Sequence, residues 1–428
     1  MNRSLRILFL TENYPPEHNA AATRVSERAV YWRKEGHAVT VITSHPNFPS
    51  GKLFDGYTNS WRKEEIIDGI RVVRVKTYIA SNSGVFRRLL DFLSFMFVSA
   101  FNGLKEKDFD VVIATSPQFF TAVSGWFIAK LRRKPFIFEL SDLWPASVRA
   151  VGAITRSALL MPVEWLELFL YHQASRVVAL TNAFKEDLVA RGIPKAKISV
   201  IINGVELDRY QPIPKDVDLS AALNLDGKFV VGYIETIGMA HGLMNVVETA
   251  NRLSKFEDVF FLLVGNGAEL DSLRKEVKLR GLNNILFVGA RPKAEIQRYW
   301  SLCDVSLVSL KNQKLFEGVI PSKIFESMGM GKPILFAGPS GEATDILSSC
   351  AAGVSVPPED SIALANKILE LREDPVHLKC LAENSRKAAL KFSRRRQAQL
   401  FLQVIEEVCA NPDLPSPLTK GIGEFQND

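Results

Sequence analysis

A short segment in the second half of the chain combines residue types that can bind a phosphorylated ligand. In PSKIFE, Pro321 suits the first turn of a helix, and Ser322 and Lys323 follow it where free backbone amides attract anions. Glu326 lies three residues after Lys323 and therefore on the same side of that helix. One carboxylate can accept two hydrogen bonds from a vicinal diol such as that of ribose. The segment predicts a nucleoside-diphosphate site; the alternative is a surface Lys–Glu pair, which stabilises a helix by only about 0.2–0.5 kcal/mol.

Three segments upstream of PSKIFE each place glycine at the end of an apolar run. They are GYIETIGMAHGL, LLVGNGAEL and LFVGARPKAEI. Glycine lets the backbone turn tightly and approach a ligand, and amides at the start of the next helix can face a phosphate. The alternative is that these glycines only close turns between strands and helices. The candidate ligand-binding residues in the three segments are Gly238, Gly242, Gly265, Asn266, Gly289 and Arg291.

Short β-rich runs alternate with amphipathic stretches along the chain. Runs such as RILFL, AVTVIT and DVVIAT are largely uninterrupted and apolar, as expected for parallel strands covered on both faces. The alternation predicts a doubly wound α/β sheet, and it restarts at FVVGYI after a stretch rich in prolines and acidic residues. The carboxyl ends of the strands in two such domains are expected to face one central cleft, where ligands bind.

This pattern predicts the domain organisation. Residues 1–205 form an N-terminal Rossmann-like domain, 206–227 a linker, and 228–392 a C-terminal Rossmann-like domain. The strongly amphipathic sequence of residues 393–411 predicts a final helix that packs back toward the N-terminal domain. Residues 412–428, which contain proline and glycine, are expected to form a mobile tail.

Composition and charge bound the class of protein. A length of 428 residues with 47% hydrophobic content allows two or three domains with sizeable cores. Four cysteines without paired metal spacing favour a reduced, cytosolic protein, and the N-terminal run ILFL predicts a strand instead of a signal peptide. Residues 1–205 hold 27 Lys/Arg and 18 Asp/Glu, whereas the remainder holds 26 and 29. The basic first half is expected to meet an anionic surface or ligand, and no recognition-helix pattern supports nucleic acid as that partner.

The longest apolar patch, Phe86 to Lys105, has the sequence FRRLLDFLSFMFVSAFNGLK. Its apolar core is about 13 residues long and contains Asp91, so it is too short and too polar to span a bilayer. One interpretation is a buried helix under the sheet. The other is a helix in the membrane interface, with its apolar face in the lipid and its flanking cations at the headgroups. Composition fits both.

Taken together, the motifs resemble those of a known enzyme family along the full length of the chain. They include ENYPPE, EGHAVTVITSHPNFPSGKLFDGY, FELSDLWPASV, VVALTNAFKEDLVARGIP, ISVIINGVELDRYQP, IGMAHGL, VGNGAEL and GVIPSKIFESMGMGKPIL, in that order. The chain resembles family 4 retaining glycosyltransferases of the GT-B fold. It resembles in particular the bacterial members that build O-antigen, capsule or colanic acid, such as N-acetylfucosamine transferases.

The resemblance implies roles for several residues. Glu326 matches the glutamate that binds the nucleotide ribose, and Pro321, Ser322 and Lys323 lie at the diphosphate end. The turn from Gly289 to Arg291 would meet the base, and Gly238 with His241 to Leu243 would meet the phosphates or the donor sugar. In the N-terminal, acceptor-binding domain, the residues expected to face the acceptor or the donor sugar are Arg24, Asn47, Asp142 and Trp144.

Two positions depart from the family pattern. Many members carry two glutamates eight positions apart, the first near the donor sugar, but Gly318 stands at the first position here. That role is either vacant or filled by Glu317 after a shift of one residue. Many members also have an Arg or Lys where this chain has His241. The charge at that position would therefore depend on the protonation of an imidazole beside the phosphates.

The sequence therefore predicts a retaining glycosyltransferase that uses a nucleotide-sugar, UDP more readily than GDP, with UDP-N-acetylfucosamine as one candidate donor. The expected acceptor is a polyprenyl-diphosphate-linked saccharide at the cytoplasmic face of a bacterial membrane, with the enzyme peripherally bound to that anionic surface. The candidate catalytic residues are Asp142, His241, Lys323 and Glu326, and no cofactor or metal is expected. The alternatives are a sugar-nucleotide epimerase of the same architecture and a non-catalytic subunit that binds nucleotide-sugars.

Overall fold

The computed structural model describes residues 4–48, 50–79, 85–116, 119–143 and 157–411. The chain divides into two compact units, one of Met1–Ile202 with Arg395–Asp428 and one of Asn203–Arg394. The stretch 206–227, predicted as a linker, belongs to the second unit and contains a short helix. Residues 412–428, predicted as a mobile tail, lie outside the described residues.

The first unit is built on an eight-stranded sheet of order β3-β4-β2-β1-β5-β6-β7-β8. The strands are β1 (Arg6–Leu10), β2 (Ala38–Ser44), β3 (Arg62–Ile67), β4 (Ile70–Val75), β5 (Val111–Thr115), β6 (Phe136–Leu140), β7 (Arg176–Ala179) and β8 (Ile198–Val200). The described helices of this part are α1 (Ala20–Lys34), α2 (Val85–Lys105), α3 (Phe119–Arg132), α4 (Ser157–Gln173) and α5 (Asn182–Ala190). All pairings are parallel except that of β3 with β4.

The strands of this sheet follow the apolar runs, with one exception. β5 and β6 are buried along their whole length, because both faces of a parallel sheet are covered. β3, with the sequence RKEEII, is not among the predicted strands. Its charged residues suit an edge strand, where one side of the ladder faces solvent and charge discourages pairing with other chains.

The second unit contains a six-stranded, all-parallel sheet of order β11-β10-β9-β12-β13-β14. The strands are β9 (Phe229–Ile234), β10 (Val259–Val264), β11 (Ile285–Phe287), β12 (Val305–Ser309), β13 (Ile334–Ala337) and β14 (Gly353–Val356). The helices are α6 (Val217–Ala222), α7 (Met244–Arg252), α8 (Leu270–Leu279), α9 (Ile296–Leu302), α10 (Ser322–Gly329), α11 (Glu342–Cys350), α12 (Ser361–Glu373) and α13 (Pro375–Lys391). The prediction of two doubly wound α/β domains is confirmed.

The last described helix, α14 (Arg394–Ala410), completes the core of the first unit. Its Phe401 ring lies 5.4 Å, centroid to centroid, from the ring of Trp32 in α1. The indole Nε1 of Trp32 donates to the carbonyl oxygen of Ala398 at 2.9 Å. The apolar face of this amphipathic helix is therefore buried on the first unit, although the whole second unit separates the two in sequence.

Helix α2 has one buried face and one exposed apolar face. Asp91, Phe95 and Ser99 are buried, whereas Phe97 and Phe101 are 66% and 61% exposed. The buried face fits the interpretation as a core helix, and the interpretation as an interfacial helix stays a prediction for the exposed apolar face. Among the described residues, none of the helices has the combination of length and apolar character needed to cross a bilayer.

Candidate active site

The carboxyl ends of β9 and β12 meet at the switch point of the second sheet. β10 and β11 extend the sheet on one side of β9, and β12 lies on its other side, where the strand order reverses. The loops after these two strands are joined, because the amide of Lys311 donates to the Ala240 carbonyl at 2.9 Å and Ser309 Oγ donates to the His241 carbonyl at 2.7 Å. Nδ1 of His241 lies 3.2 Å from the carbonyl oxygen of Ser309, which can only accept, so this nitrogen bears a proton. The imidazole is therefore fixed where doubly wound sheets bind ligands.

Helix α10 brings the PSKIFE residues to the same end of the sheet. Pro321 is its N-cap residue and Ser322 its first helical residue. The residues that face away from Lys323 and Glu326 are buried, which accounts for the apolar positions Ile324, Phe325 and Met328. Ser327 Oγ lies 2.7 Å from Ser306 Oγ of β12 and ties the helix to the strand. Packing thus fixes the helix and leaves its charged side partly exposed.

Lys323 and Glu326 form an ion pair on that exposed side. Lys323 Nζ lies 2.7 Å from Glu326 Oε2. Burial lowers the pKa of Lys323, but the carboxylates of Glu326 and Glu235 outweigh it and raise the pKa overall, so the amine is a cation at neutral pH. A partly exposed ammonium and carboxylate at a helix start can bind a phosphate oxygen and a diol, respectively.

Glu235 is a third charged residue of this group and was not predicted from the sequence. It directly follows β9, and its Oε2 lies 3.9 Å from His241 Nδ1. No residue within the described ranges donates a hydrogen bond to that oxygen. Burial raises the pKa of Glu235, while the nearby His241 and Lys323 oppose the increase. The signal in the sequence is a single carboxylate immediately after an apolar strand.

The glycine-containing turns pack against the loop that begins at Glu235. A Cβ on Gly265 would lie 1.9 Å from the Glu235 carbonyl oxygen, so this close approach requires glycine. The Gly265 amide donates to the Gly289 carbonyl at 3.0 Å, and the Asn266 carbonyl accepts from the Ile237 amide at 3.0 Å. Gly265 and Asn266 therefore shape the loop that bears Glu235 and His241.

The other residues predicted to bind the sugar donor are Gly238 and Gly242 in this loop, and Arg291 and Glu317 elsewhere in the second unit. Gly238 adjoins the imidazole of His241, and Gly242, with φ of +60°, has a left-handed conformation just before α7. Arg291 is exposed, and its guanidinium lies 5.7 Å from the ring centroid of Tyr299. Glu317 is exposed within a 3₁₀ turn, Lys314–Gly318, so its side chain is not enclosed by the protein.

A pocket beside the His241 loop contains further polar residues that were not predicted from the sequence. These residues are Asn245, Glu269, Lys311 and Glu359, and the predicted Gly242 also lines the pocket. Lys311 Nζ lies 3.5 Å from Glu269 Oε1, and the Glu359 carboxylate accepts from the backbone of the loop after β12. The pocket therefore extends the polar surface around the switch point.

In the first unit, Glu17 organises the loops after β1 and β2. Its carboxylate accepts from the amides of Asn47 at 2.9 Å and Phe48 at 2.8 Å, and from Asn13 Nδ2 at 3.1 Å. Burial raises the pKa of Glu17, although these hydrogen bonds oppose the increase. Asn47, predicted to face the acceptor, is buried in this network, and its side-chain amide donates to the His45 carbonyl at 2.9 Å.

Arg24, also predicted to face the acceptor, belongs to a buried ion cluster. Glu139 Oε1 lies 2.7 Å from Arg28 Nη1 and 3.3 Å from Arg24 Nε. Burial raises the pKa of Glu139, but the two guanidinium groups outweigh it and lower the pKa overall. Arg24 also donates to the hydroxyl of Ser141, at the end of β6.

Asp142 follows Ser141 in the loop after β6. Its backbone amide donates to Ser116 Oγ at 3.3 Å, so the loops after β5 and β6 are joined. The second residue predicted in this loop, Trp144, lies outside the described residues. The structure therefore places Arg24 and Asp142 at one end of the first sheet, and Lys323, Glu326 and His241 at one end of the second.

Comparison with known proteins identifies the family. The family model described as "Glycosyl transferase 4-like domain" matches residues 19–204, and the one described as "Glycosyl transferases group 1" matches residues 217–388. WcaI of Escherichia coli K12, assigned to colanic acid biosynthesis as a glycosyl transferase, is 25% identical over 76% of this chain and 82% of its own. A UDP-Gal:alpha-D-GlcNAc-diphosphoundecaprenol alpha-1,3-galactosyltransferase of Escherichia coli is 23% identical over 68% of this chain and 73% of its own.

Among solved structures, Anabaena HepE in complex with UDP and glucose is similar, with a TM-score of 0.71 and 20% identity. The similarity covers 94% of this chain and 99% of HepE. The two family matches span β2 to β8 of the first sheet, the whole of the second sheet, and the helix that bears Lys323 and Glu326. The chain is a family 4 glycosyltransferase of the GT-B fold, an enzyme that transfers sugars.

Proposed function

We propose that the enzyme transfers a sugar, with retention of anomeric configuration, from a nucleotide-sugar to a polyprenyl-diphosphate-linked saccharide in the assembly of a bacterial surface polysaccharide. UDP is a better candidate than GDP, and UDP-N-acetylfucosamine is one candidate donor. The observation that most supports donor binding is the group formed by Lys323, Glu326 and His241 at the switch point of the second sheet. It offers the Lys323 ammonium and the His241 imidazole for a diphosphate, and the Glu326 carboxylate for a diol.

In this proposal the two charged residues of α10 have separate tasks. Glu326 accepts hydrogen bonds from the ribose hydroxyls, which requires its ion pair with Lys323 to loosen when the donor binds. Lys323, His241 and the free amides at the start of α10 stabilise the negative charge that develops on the departing nucleoside diphosphate. Groups fixed before the reaction are effective in this role because they need little reorganisation.

Asp142 is proposed to orient the acceptor or the donor sugar from the loop after β6. Its position supports this role, because its backbone is anchored to Ser116 and adjoins the buried cluster of Arg24 and Glu139. The roles proposed for Arg24 and Asn47 are indirect, since both side chains are buried within their own networks.

Two relatives support parts of the proposal. The galactosyltransferase of Escherichia coli is named for a UDP-sugar donor and a diphosphoundecaprenol-linked acceptor. HepE was solved with UDP and glucose. Both relatives favour UDP as the nucleotide of the donor, and the first also favours a lipid-linked acceptor.

The exposed apolar side of α2 supports a membrane-bound acceptor. Phe97 and Phe101 of α2 and Leu131 of α3 are exposed, and Arg132 of α3 donates to the backbone near the end of α2, so the two helices adjoin there. Lys105 Nζ lies 4.3 Å from the ring centroid of Phe101, which places a cation beside the aromatic surface. Apolar groups with adjacent cations bind anionic headgroup regions. We propose that this surface holds the enzyme peripherally at the cytoplasmic face of the plasma membrane.

The transfer reaction is tested by incubating the enzyme with UDP- and GDP-sugars and a polyprenyl-diphosphate-linked saccharide, with product analysis by mass spectrometry. The expected result is an acceptor extended by one sugar, and loss of that product in Glu326→Ala but not in the exposed control Glu370→Ala. Conversion of the donor without extension would instead identify an epimerase, and tight donor binding without any reaction would identify a binding subunit. Full activity in Glu326→Ala would contradict the site.

A second experiment tests the membrane surface by flotation with vesicles that contain an anionic lipid. Replacing Phe97 and Phe101 with serine should release the protein from the vesicles, whereas Leu279→Ser, at an exposed position of the second unit, should not. Equal binding by all three proteins would contradict a role for the α2 surface. We also propose that transfer needs no metal, so its rate should be unchanged by EDTA.

A further inference from the structure

The position of Glu235 is fixed by its backbone. Its amide donates to the Val264 carbonyl at 3.1 Å, and its own carbonyl oxygen faces Gly265, where a Cβ would lie only 1.9 Å away. The residue therefore starts the loop at the switch point, between the end of β9 and the imidazole of His241. Its side chain is 15% exposed, whereas Oε2 itself is buried, so this oxygen lies just beneath the surface of the site.

The neighbouring donors do not satisfy this carboxylate. The hydrogen bond from Lys323 Nζ goes to Glu326, and the Nδ1 proton of His241 goes to the Ser309 carbonyl. Glu235 Oε2 accepts no hydrogen bond from the residues that the structure describes. A buried acceptor without a partner is unfavourable in the folded chain, and such groups call for an explanation such as a ligand.

The chemistry of a nucleotide-sugar limits what can satisfy it. The diphosphate offers only acceptor oxygens at neutral pH, so it cannot donate to a carboxylate. In the proposed function the ribose hydroxyls bind Glu326, and the family resemblance implies that the base meets the turn from Gly289 to Arg291. The donors that remain are the hydroxyl groups and any amide N–H of the transferred sugar.

We infer that Glu235 accepts a hydrogen bond from a hydroxyl or amide N–H of the donor sugar and is a specificity-determining residue of the enzyme. This inference rests on the proposed function. It assigns to Glu235 the sugar-binding role for which Gly318 provides no side chain and for which Glu317 is the alternative. Glu317 is exposed in its 3₁₀ turn, whereas Glu235 lies within the charged group of the site.

The experiment compares binding of UDP with UDP-N-acetylfucosamine, and of GDP with GDP-mannose, by isothermal titration calorimetry. The variants are Glu235→Gln, Glu235→Ala and the rival Glu317→Gln. For the nucleotide pair that the wild type binds, both Glu235 variants should weaken binding of the nucleotide-sugar about tenfold or more, as expected for loss of a charged hydrogen bond. Binding of the free diphosphate should stay within about threefold of wild type, which also reports that the variants are folded.

Four outcomes of this calorimetry overturn the inference. Equal losses for the diphosphate and the nucleotide-sugar would place Glu235 at the phosphates, and unchanged affinity for both would exclude contact with the sugar. A selective loss in Glu317→Gln alone would move the role to that residue. If the wild type binds none of the four ligands, the proposed function is overturned and this inference with it.

A background variant separates sugar binding from an effect through the imidazole. If Glu235 acts only by holding His241, then Glu235→Gln should have no further effect once His241 is replaced by glutamine. We expect the selective loss of nucleotide-sugar affinity to persist in His241→Gln. Its disappearance in that background would overturn direct contact with the sugar.

Discussion

Glu139 and Glu235 are two glutamates at the carboxyl ends of parallel strands, one in each unit. Glu139 is fully buried and has Arg28 and Arg24 beside one oxygen, at 2.7 and 3.3 Å. The pKa of Glu139 is lowered because the two guanidinium groups outweigh burial. The pKa of Glu235 is raised, because burial is opposed only by His241 and Lys323, and Lys323 is already paired with Glu326.

An unpartnered oxygen alone does not distinguish the two residues. Oε2 of Glu139, like Oε2 of Glu235, accepts no hydrogen bond from the part of the chain that the structure describes. The two residues differ in the positive charge that neutralises the carboxylate and in the exposure of the side chain, which is 0% for Glu139 and 15% for Glu235. A carboxylate sealed between two arginines stabilises the arrangement of loops around it, whereas a partly accessible one with incomplete counter-charge is suited to a ligand.

The residues around Glu139 and those around Glu235 form two charged clusters. The largest expected effect comes from removing a cation from the cluster around Glu139. Arg28→Met leaves Glu139 buried with Arg24 as its remaining cation, and breaking a buried pair in this way costs about 3–5 kcal/mol. It also removes the guanidinium that lies 4.4 Å from the ring centroid of Phe401. Urea unfolding, monitored by tryptophan fluorescence, should show this loss of stability.

A matched control is Arg280→Met, in which the arginine lost pairs with Glu248 and Glu276 near the surface of the second unit. Pairs of that kind contribute about 0.2–1 kcal/mol each. A loss below about 1 kcal/mol in Arg28→Met would show that Glu139 does not depend on the pair, and the contrast with Glu235 would then fail.

Removing Lys323 from the cluster around Glu235 should instead weaken binding of a nucleoside diphosphate. Lys323→Met deletes a partly exposed ammonium, so the free energy of unfolding should change by about 1 kcal/mol or less. Affinity for a nucleoside diphosphate should fall about 10- to 100-fold, because a hydrogen bond to a charged group is worth about 1.5–3 kcal/mol. Calorimetry with UDP and GDP measures the affinity. The control is Lys367→Met, which removes a partly exposed ammonium that pairs with Glu370 three residues later. If Lys323→Met unfolds readily but binds the diphosphate normally, Lys323 stabilises the fold and does not bind the ligand.

The same contrast explains how much of the molecule could be predicted from its sequence. Uninterrupted apolar runs predict most strands, and the alternation of strands and helices predicts both sheets. The ion pair of Lys323 and Glu326 could be predicted because both residues lie on one short helix, three residues apart. The strand RKEEII is not predicted from the sequence, because it is charged and lacks an apolar run. Such charges suit an edge strand, and that position depends on the order of the whole sheet.

Long-range neighbours are harder to predict than local ones. Glu235 lies 88 positions before Lys323, and Arg24 lies 115 positions before Glu139. In each case the sequence indicates that a residue lies at the end of a strand or near a helix start, but not which side chain it meets. The motif of Arg24 therefore predicts that it faces the acceptor, but only the structure shows that its guanidinium lies beside Glu139.

A third buried carboxyl group, that of Asp91, gives the smallest expected effect. It tests whether a raised pKa and a lowered pKa change stability with pH in opposite directions. Asp91 of α2 is buried, and burial raises its pKa to about 7, with Arg88 opposing and Glu17 adding to the increase. Glu12, which also faces this group, has a raised pKa for the same main reason. Between its ordinary pKa of 3.8 and about 7, folded Asp91 holds a proton that the unfolded chain has lost. Stability from this residue therefore falls as the pH rises through that range, whereas the lowered pKa of Glu139 makes its contribution fall as the pH drops.

Asp91→Asn removes the proton that titrates, so it should become more stable than wild type as the pH rises. At pH about 8 the gain should be on the order of 1 kcal/mol, and at pH about 4 it should vanish. Urea unfolding at both pH values measures the difference, with Asp108→Asn as the control because that side chain is largely exposed. Equal destabilisation of Asp91→Asn at both pH values would mean that packing, not charge, governs this site. A gain confined to high pH would place Asp91 with Glu235, among the carboxyl groups that the fold buries without full neutralisation.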